Sequence, residues 1–229
     1  MKHAFLTFVT FIIIATQIHS QEIIKPNFAL ATHPIVVDKV QFTDSLIYVA
    51  LTIHNKIEGG EFCADEIIYL LEYQNNTKAY AIEATGIPTC PETYKFQSPG
   101  EKLSFELKFT GFEEIPKYLN IIEDCEENCF SVYGVILDEK MNGDINQAFG
   151  FFKSDNLDFA LSLFRTAARE NPGYPFAFLY GNIIEIYALK EDYKKASEWL
   201  KFLEASQFID KENVMEQISQ KSFYNKLSD

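Results

Sequence analysis

Apolar and polar residues alternate along much of the first 140 positions of the chain. From Ile47 to Ile53 and from Leu103 to Phe109, every second residue is apolar. Because side chains of a strand point alternately to its two faces, each series predicts a strand with one buried face. Five further strands are predicted at 35–42, 67–73, 79–84, 118–122 and 130–137. Seven short strands separated by turn residues predict an antiparallel two-sheet β-sandwich.

After Asp138 the spacing of apolar residues changes toward 3.6, which predicts helices. The predicted helices cover 144–153, 157–170, 175–190, 193–206 and 211–226. Pro172-Gly173 and Glu191-Asp192 separate successive helices, and such short loops make consecutive helices antiparallel neighbours. The fold class is therefore β then α, with a β-sandwich domain at 21–140 and a helical domain at 141–229.

The helical region carries a repeated pattern of small and aromatic residues. The pattern is small, aromatic, small and proline at Ala160, Phe164, Ala167 and Pro172, preceded by Ala148 and Phe151 on the helix before. This resembles the second and first helices of the tetratricopeptide repeat, a unit of about 34 residues. Such alanines allow helix backbones to approach closely while aromatic rings fill the space beside them.

A second, looser copy follows with an offset of 36 residues, which aligns Ala196 with Ala160. It departs from the pattern, because Leu203 replaces the later alanine, Ile184 the small residue of the first helix, and no proline closes the unit. Two units are fewer than the roughly three that a stable stack needs. We expect the last helix to cap one end, and the sandwich or a second copy of the chain to cover the other.

The resemblance implies a groove lined by the first helix of each unit, which in this family holds a peptide or another protein. Asn146 and Asn182 occupy equivalent positions where the family uses asparagine to bind a peptide backbone, with Phe149 and Glu185 beside them. The alternative is that these four are ordinary exposed residues, since no lysine or arginine accompanies them to bind a carboxylate.

The β region resembles bacterial immunoglobulin-like sandwich domains at residues 48–55 and 98–109. It lacks the tryptophan that lies behind an antibody-type disulfide, since Trp199 is the only tryptophan and belongs to the helical region. Domains of this kind serve many roles, so the resemblance implies a fold without a specific function.

The first twenty residues have the features of a secretory signal peptide. Lys2 precedes an uncharged apolar run, and Ser20 is a small residue at the expected cleavage point. The run is shorter than the roughly 18 apolar residues of a membrane-spanning helix, so we expect cleavage and no transmembrane segment in the mature chain. An uncleaved anchor is the alternative. The predicted location is periplasmic, cell-surface or extracellular.

Charge excludes one class of partner. Without residues 1–20 the chain has 19 basic and 33 acidic residues, a net charge of −14. Residues 21–140 hold 9 basic and 20 acidic side chains, and residues 141–229 hold 10 and 13. A nucleic acid needs a basic surface, so nucleic acid is not an expected partner.

Four cysteines, an even number, precede residue 130: Cys63, Cys90, Cys125 and Cys129. In an exported chain this predicts disulfides. Three connectivities are possible, and we favour Cys63 with Cys90 and Cys125 with Cys129, because the second pair flanks a short turn between strands. Zinc is the alternative, but the paired Cys-x2-Cys spacing of zinc sites is absent.

Sequence motifs for catalysis are absent. No Gly-x-Ser-x-Gly, phosphate loop, dinucleotide fingerprint or His-Glu-x-x-His occurs, and His33 and His54 lie beside no candidate nucleophile. Residues 138–149 resemble part of a calcium loop, but Lys140 and Phe149 stand where that loop needs oxygen ligands. We expect no cofactor, no metal and no enzymatic activity.

The sequence thus favours an exported, non-enzymatic adaptor or assembly factor that binds another protein or a peptide. The alternative is a module that binds carbohydrate or another envelope polymer on the sandwich, with four tyrosines as stacking residues: Tyr69, Tyr73, Tyr80 and Tyr94. A hydrolase that uses paired carboxylates is a third hypothesis, although no pairing can be inferred from spacing.

Overall fold

A computed structural model describes residues 21–227 of the protein, so the predicted signal peptide lies outside the described residues. The described chain is a large antiparallel sheet followed by five helices. The strands are β1 (Gln21–Ile24), β2 (Leu30–Ala31), β3 (Ile35–Phe42), β4 (Leu46–His54), β5 (Glu61–Phe62), β6 (Ile68–Glu72), β7 (Lys78–Thr85), β8 (Tyr94–Lys95), β9 (Lys102–Thr110), β10 (Tyr118–Glu123) and β11 (Ser131–Ile136). All seven strands predicted from alternation are confirmed, and β1, β2, β5 and β8 are additional.

Nine strands form one sheet in the order β1-β3-β4-β9-β7-β6-β10-β11-β2, and β5 pairs only with β8. β7 joins the two parts of the large sheet, because its first residues pair with β6 and its later residues with β9. The pairing with β9 contains a register shift between Ala81 and Glu83. The sheet curves into a half-barrel whose two parts contact each other, with the rings of Phe105 and Phe130 6.2 Å apart. The antiparallel β region is confirmed, whereas an immunoglobulin-like pair of separate sheets is not.

The core of the half-barrel comes from the alternating positions. Val49, Leu51, Leu107 and Phe109 are fully buried, while their neighbours along β4 and β9 are mostly more exposed. At about 25 cal/mol for each Å² of apolar surface removed from water, such residues supply most of the driving force for folding. Burial therefore follows directly from the alternation in the sequence.

The helices are α1 (Glu139–Lys153), α2 (Leu157–Glu170), α3 (Phe178–Leu189), α4 (Tyr193–Ala205) and α5 (Lys211–Ser219), followed by a short 3-10 helix, Tyr224–Lys226. α1 begins five residues before its predicted start, because the Asp138 carboxylate accepts a hydrogen bond from the Met141 backbone N–H at 2.7 Å and caps the helix. The boundary predicted between residues 140 and 141 consequently falls within its first turn. The final predicted helix is interrupted after Ser219.

The sheet and the helices share a packed junction. Tyr118 and Ile136 of the sheet belong to the hydrophobic core of the helices. The Tyr174 hydroxyl donates a hydrogen bond to the Gly134 carbonyl at 2.7 Å. Gly134 has a φ of +68°, and a Cβ built there would lie 2.7 Å from the Phe176 ring. Glycine at this position thus allows the loop before α3 to contact β11.

Two disulfides stabilise the β region. They join Cys63 to Cys90 and Cys125 to Cys129, with Cα–Cα distances of 5.3 and 5.6 Å. This is the favoured connectivity. Within residues 21–227, Glu123, Cys125 and Cys129 form the one group with metal-ligand proximity, but its two sulfurs are bonded to each other. Over the same residues, no helix is long and apolar enough to cross a membrane.

Candidate functional site

The four residues of the predicted peptide groove contact other parts of the same chain. The Asn146 side-chain oxygen accepts a hydrogen bond from the Asn27 side chain at 3.1 Å. Phe149 packs edge-to-face against Phe164, with ring centroids 5.1 Å apart. These two residues therefore contribute to contacts with residue 27 and with α2.

The segment before β2 lies against α1 at a neighbouring asparagine. The backbone N–H and the side chain of Asn27 both donate to the Asn142 side-chain oxygen, at 2.8 and 2.9 Å. Asn142 donates in turn to the Ile136 carbonyl at 2.7 Å. Asn142 is 7% exposed, so these bonds satisfy a buried amide and fix residue 27 on the helix.

α5 covers the corresponding face of α3. Val214 approaches Gly181 so closely that a Cβ on the glycine would lie 2.7 Å from the valine methyl. Glu185 forms an ion pair with Lys221 at 2.7 Å, and the Asn182 side chain donates to the Phe178 carbonyl. Asn182 and Glu185 line a cavity of about 110 Å³ with α5, and Asn146 and Phe149 do not line it.

The four candidate tyrosines of the sheet do not form one surface. Tyr69 and Tyr80 are opposite each other on β6 and β7, with ring centroids 5.7 Å apart. Tyr73 instead contacts Phe176, and the Tyr94 hydroxyl donates to a Glu101 carboxylate oxygen at 2.7 Å. Of the four, Tyr69 and Tyr80 are the two that contact each other.

A cleft of about 860 Å³ lies between α2 and α4, with one residue from α3. Tyr180, its α3 residue, is two positions from Asn182, and two positions correspond to about 200° around a helix. The cleft is therefore on the side of α3 opposite to α5. Its lining residues are Asp158, Leu161, Ser162, Arg165, Thr166, Ala168, Arg169, Tyr180, Glu198, Trp199 and Phe202.

The α2 wall of this cleft carries guanidinium and hydroxyl groups. Arg165 and Arg169, the two arginines of the chain, are one helical turn apart, with Ser162 and Thr166 on the same wall. The Arg169 side chain is 75% exposed and has one weak ion pair, to its neighbour Glu170 at 3.7 Å. Arginine presents a planar fork of donors that matches a carboxylate, so this wall can bind anionic groups.

The opposite wall is aromatic. Trp199 and Phe202 of α4 lie 5.8 and 5.2 Å from the Tyr180 ring, and Phe208 stacks on Tyr180 at 4.8 Å. Burial raises the pKa of the Tyr180 phenol, which therefore stays neutral at physiological pH. Phe202 is 49% exposed. The Trp199 and Phe202 rings are tilted against the Tyr180 ring, and together the three rings form an apolar surface that an apolar side chain can contact.

Two carboxylates also line the cleft. Asp158 forms an ion pair with Lys190 at 2.6 Å, so a lysine partly compensates its charge. Glu198, on α4, forms no ion pair with any of the residues 21–227. The cleft thus has a cationic wall on α2 and an acidic residue on α4.

Sequence reasoning missed this cleft. The available signal was that a chain with only two arginines places them four residues apart, at Arg165 and Arg169, on a predicted helix. Trp199 was the second signal, as the one tryptophan of the chain. Neither signal shows that α2 and α4 are close, which depends on how α3 packs between them.

Two buried carboxyl groups elsewhere serve the fold. Glu123 accepts hydrogen bonds from the backbone N–H groups of Asp65 and Phe130, both at 2.8 Å. Asp210 accepts one from Ala177 at the start of α3, while its second oxygen has no partner among the described residues. Burial raises the pKa of both carboxyl groups. Both groups connect elements that are distant in sequence.

Comparison of the chain with protein-family models, with curated proteins and with solved structures finds no match.

Proposed function

We propose that the protein is an exported, non-enzymatic adaptor that binds another protein through the cleft between α2 and α4. The observation that carries the proposal is the convergence of both arginines and the only tryptophan on one open cleft. Arginine and tryptophan are the residues most enriched at the energetic centres of protein interfaces.

The helical packing supports a repeat-like role for this region. Ala160 of α2 and Ala196 of α4 are fully buried, as the tetratricopeptide resemblance implies for close helix contacts. α5 packs on α3, where a capping helix is expected. Because residue 27 and α5 contact the face that holds Asn146 and Asn182, the proposal assigns partner binding to the cleft on the other side.

Two features of the β region support the proposal, its disulfides for export and its packed junction with the helices for a scaffold role. Disulfides persist mainly in oxidising compartments, and the two disulfides are in this region. In this proposal the half-barrel, whose sequence resembles immunoglobulin-like sandwich domains, holds the helices in a fixed orientation through the junction at Gly134.

The test is affinity capture of partners from the exported fraction of the native host, with matched variants of two exposed phenylalanines. Phe202→Glu introduces a charge in the cleft, and Phe159→Glu introduces one at a site 60% exposed that does not line the cleft. We expect a partner captured by the unchanged chain to be lost with the first variant and retained with the second. Equal capture by both variants, or small-molecule turnover by the unchanged chain, would contradict the proposal.

A second candidate function, carbohydrate or envelope-polymer binding, is favoured by the Tyr69–Tyr80 pair. Tyr80 is 50% exposed and the neighbouring Ile82 is 54% exposed, so this outer face of the sheet has an accessible aromatic surface. Binding on a glycan array that Tyr80→Ser abolishes and Phe202→Glu preserves would support it. The reverse pattern would support the cleft instead.

A further inference from the structure

The spacing of the two cleft arginines matches the spacing of alternate residues in an extended peptide. Side chains four residues apart on a helix, such as Arg165 and Arg169, have Cβ atoms about 5–6 Å apart. An extended chain rises about 3.3 Å per residue, so residues two positions apart are separated by about 6.6 Å. Two acidic residues with one residue between them can therefore each meet one guanidinium group.

The residue between them would contact the opposite wall. Successive side chains of an extended peptide point in opposite directions. When the acidic side chains point to α2, the middle side chain points to α4, where Trp199 and Phe202 lie beside Tyr180. An apolar or aromatic middle residue is complementary to these rings.

We propose, on the basis of the function proposed above, that the cleft binds an extended segment of a partner protein with the pattern acidic–apolar–acidic. The carboxylates pair with Arg165 and Arg169, and the apolar side chain contacts the ring cluster of Tyr180, Trp199 and Phe202. The recognition element is a short linear sequence, so different partners can share it.

The two carboxylates that line the cleft increase its selectivity for this order of residues. Asp158 is engaged by Lys190 at 2.6 Å and competes less for the arginines. Glu198 repels an acidic residue on the α4 wall, so a segment with an acidic middle residue is disfavoured. The cleft therefore selects a defined order of residues rather than negative charge alone.

The occupant is a different protein rather than a second copy of this chain. Within residues 21–227, acidic residues are two positions apart only at Asp124/Glu126 and at Asp210/Glu212. The first pair encloses Cys125, which is in a disulfide, and the second encloses a lysine. Neither provides a free apolar side chain between two carboxylates.

The test uses the fluorescence of Trp199, which reports directly on the cleft because the chain has no other tryptophan. The full exported chain is titrated with the blocked peptide Gly-Ser-Gly-Asp-Phe-Asp-Gly-Ser-Gly. The control peptides replace Asp-Phe-Asp by Asn-Phe-Asn and by Asp-Ser-Asp. We expect a saturable change with the first peptide and binding at least about tenfold weaker with each control.

A matched pair of charge variants completes the experiment. Arg165→Gln with Arg169→Gln removes two positive charges from the cleft, and Lys102→Gln with Lys153→Gln removes two from exposed sites elsewhere. The first double variant should weaken the Asp-Phe-Asp peptide about tenfold, and the second should change it less than about twofold.

The outcomes separate this inference from the proposed function. Equal binding of the Asn-Phe-Asn peptide, equal effects of the two double variants, or no fluorescence change up to about 5 mM peptide would each overturn the inference. The proposed function would still stand if Phe202→Glu abolished partner capture. Self-association of the chain that is lost with the arginine variant would also overturn the inference, because the occupant would then be a second copy.

Discussion

The β region and the helical region differ in their balance of acidic and basic residues. Residues 21–140 have 20 acidic and 9 basic side chains and no arginine, whereas residues 141–229 have 13 and 10, including both arginines. The β region also contains both disulfides. The comparison shows a crosslinked, acidic half-barrel that carries helices with an aromatic cleft, in which both arginines and two carboxylates lie.

The largest expected effect on the free energy of unfolding comes from removing the disulfides of the β region. Loop-closure entropy predicts a loss of about 3.5 kcal/mol on removing the Cys63–Cys90 bond, which spans 27 residues, and about 1.9 kcal/mol for Cys125–Cys129, which spans 4. Urea unfolding of the two double Cys→Ser variants measures both losses. A larger loss for the shorter loop would show that contacts at the hairpin, rather than chain entropy, dominate.

The next largest effect is expected from a substitution that disrupts the junction between the two regions. Gly134→Ala adds a methyl group 2.7 Å from Phe176 at a position with φ +68°, and we expect a loss of about 3 kcal/mol from clash and backbone strain together. Gly59→Ala is the control, because Gly59 has φ +64° and no atom within 4 Å of the added methyl group. Its loss should be about 1 kcal/mol, from strain alone. Equal losses would mean that the loop moves away without cost.

A smaller effect compares the buried carboxyl groups of the two regions as pH changes. Burial raises the pKa of Asp210 in the helical region and of Glu123 in the β region. Between the unfolded pKa of about 4 and the raised folded pKa, the folded state binds more protons, so the stability contribution falls as pH rises. Asp210→Asn and Glu123→Gln should each flatten this fall in the free energy of unfolding measured from pH 3 to 8.

The two variants should change the pH dependence of the free energy of unfolding by different amounts. Glu123 accepts hydrogen bonds from two backbone N–H groups, which favour its charged form, whereas one oxygen of Asp210 has no partner among the described residues. Asp210→Asn should therefore flatten the profile more. A larger effect of Glu123→Gln would show that the unpaired oxygen of Asp210 is solvated in solution.

The smallest expected effect concerns the arginines themselves. Arg165→Gln with Arg169→Gln should change the free energy of unfolding by less than about 0.5 kcal/mol, because both side chains are on the surface. Thermal unfolding beside the unchanged chain measures this. A loss above about 2 kcal/mol would indicate that the arginines stabilise the helices rather than bind a partner.

Much of the secondary structure could be predicted because local periodicity determines it. The run from Ile47 to Ile53 and the boundaries of α2 needed no tertiary information. The short strands β2, β5 and β8 could not be predicted, since two-residue strands have no period and depend on their partners. The predicted start of α1 is five residues late, because the Asp138 cap begins the helix at Glu139.

The candidate site was harder to predict than the fold. The repeat resemblance predicts Asn146 and Asn182 as groove residues, but the sequence does not show that residue 27, 115 positions before Asn142, lies against that face. Lys221, 36 positions after Glu185, is a similar case. Such contacts between distant segments leave no local pattern in the sequence.

By itself, the sequence determined the β-then-α order, the main strands and helices and the acidic charge, because each depends on spacing or composition, and it favoured one of three possible disulfide pairings, which the structure shows. Tertiary structure alone decided that β7 joins the strands into one half-barrel, that residue 27 and α5 cover the helix face with the asparagines, and that Arg165, Arg169 and Trp199 share a cleft. The physical reason is that a binding surface depends on the packing of segments that are far apart in the chain, whereas periodicity reports only which face of each segment is buried.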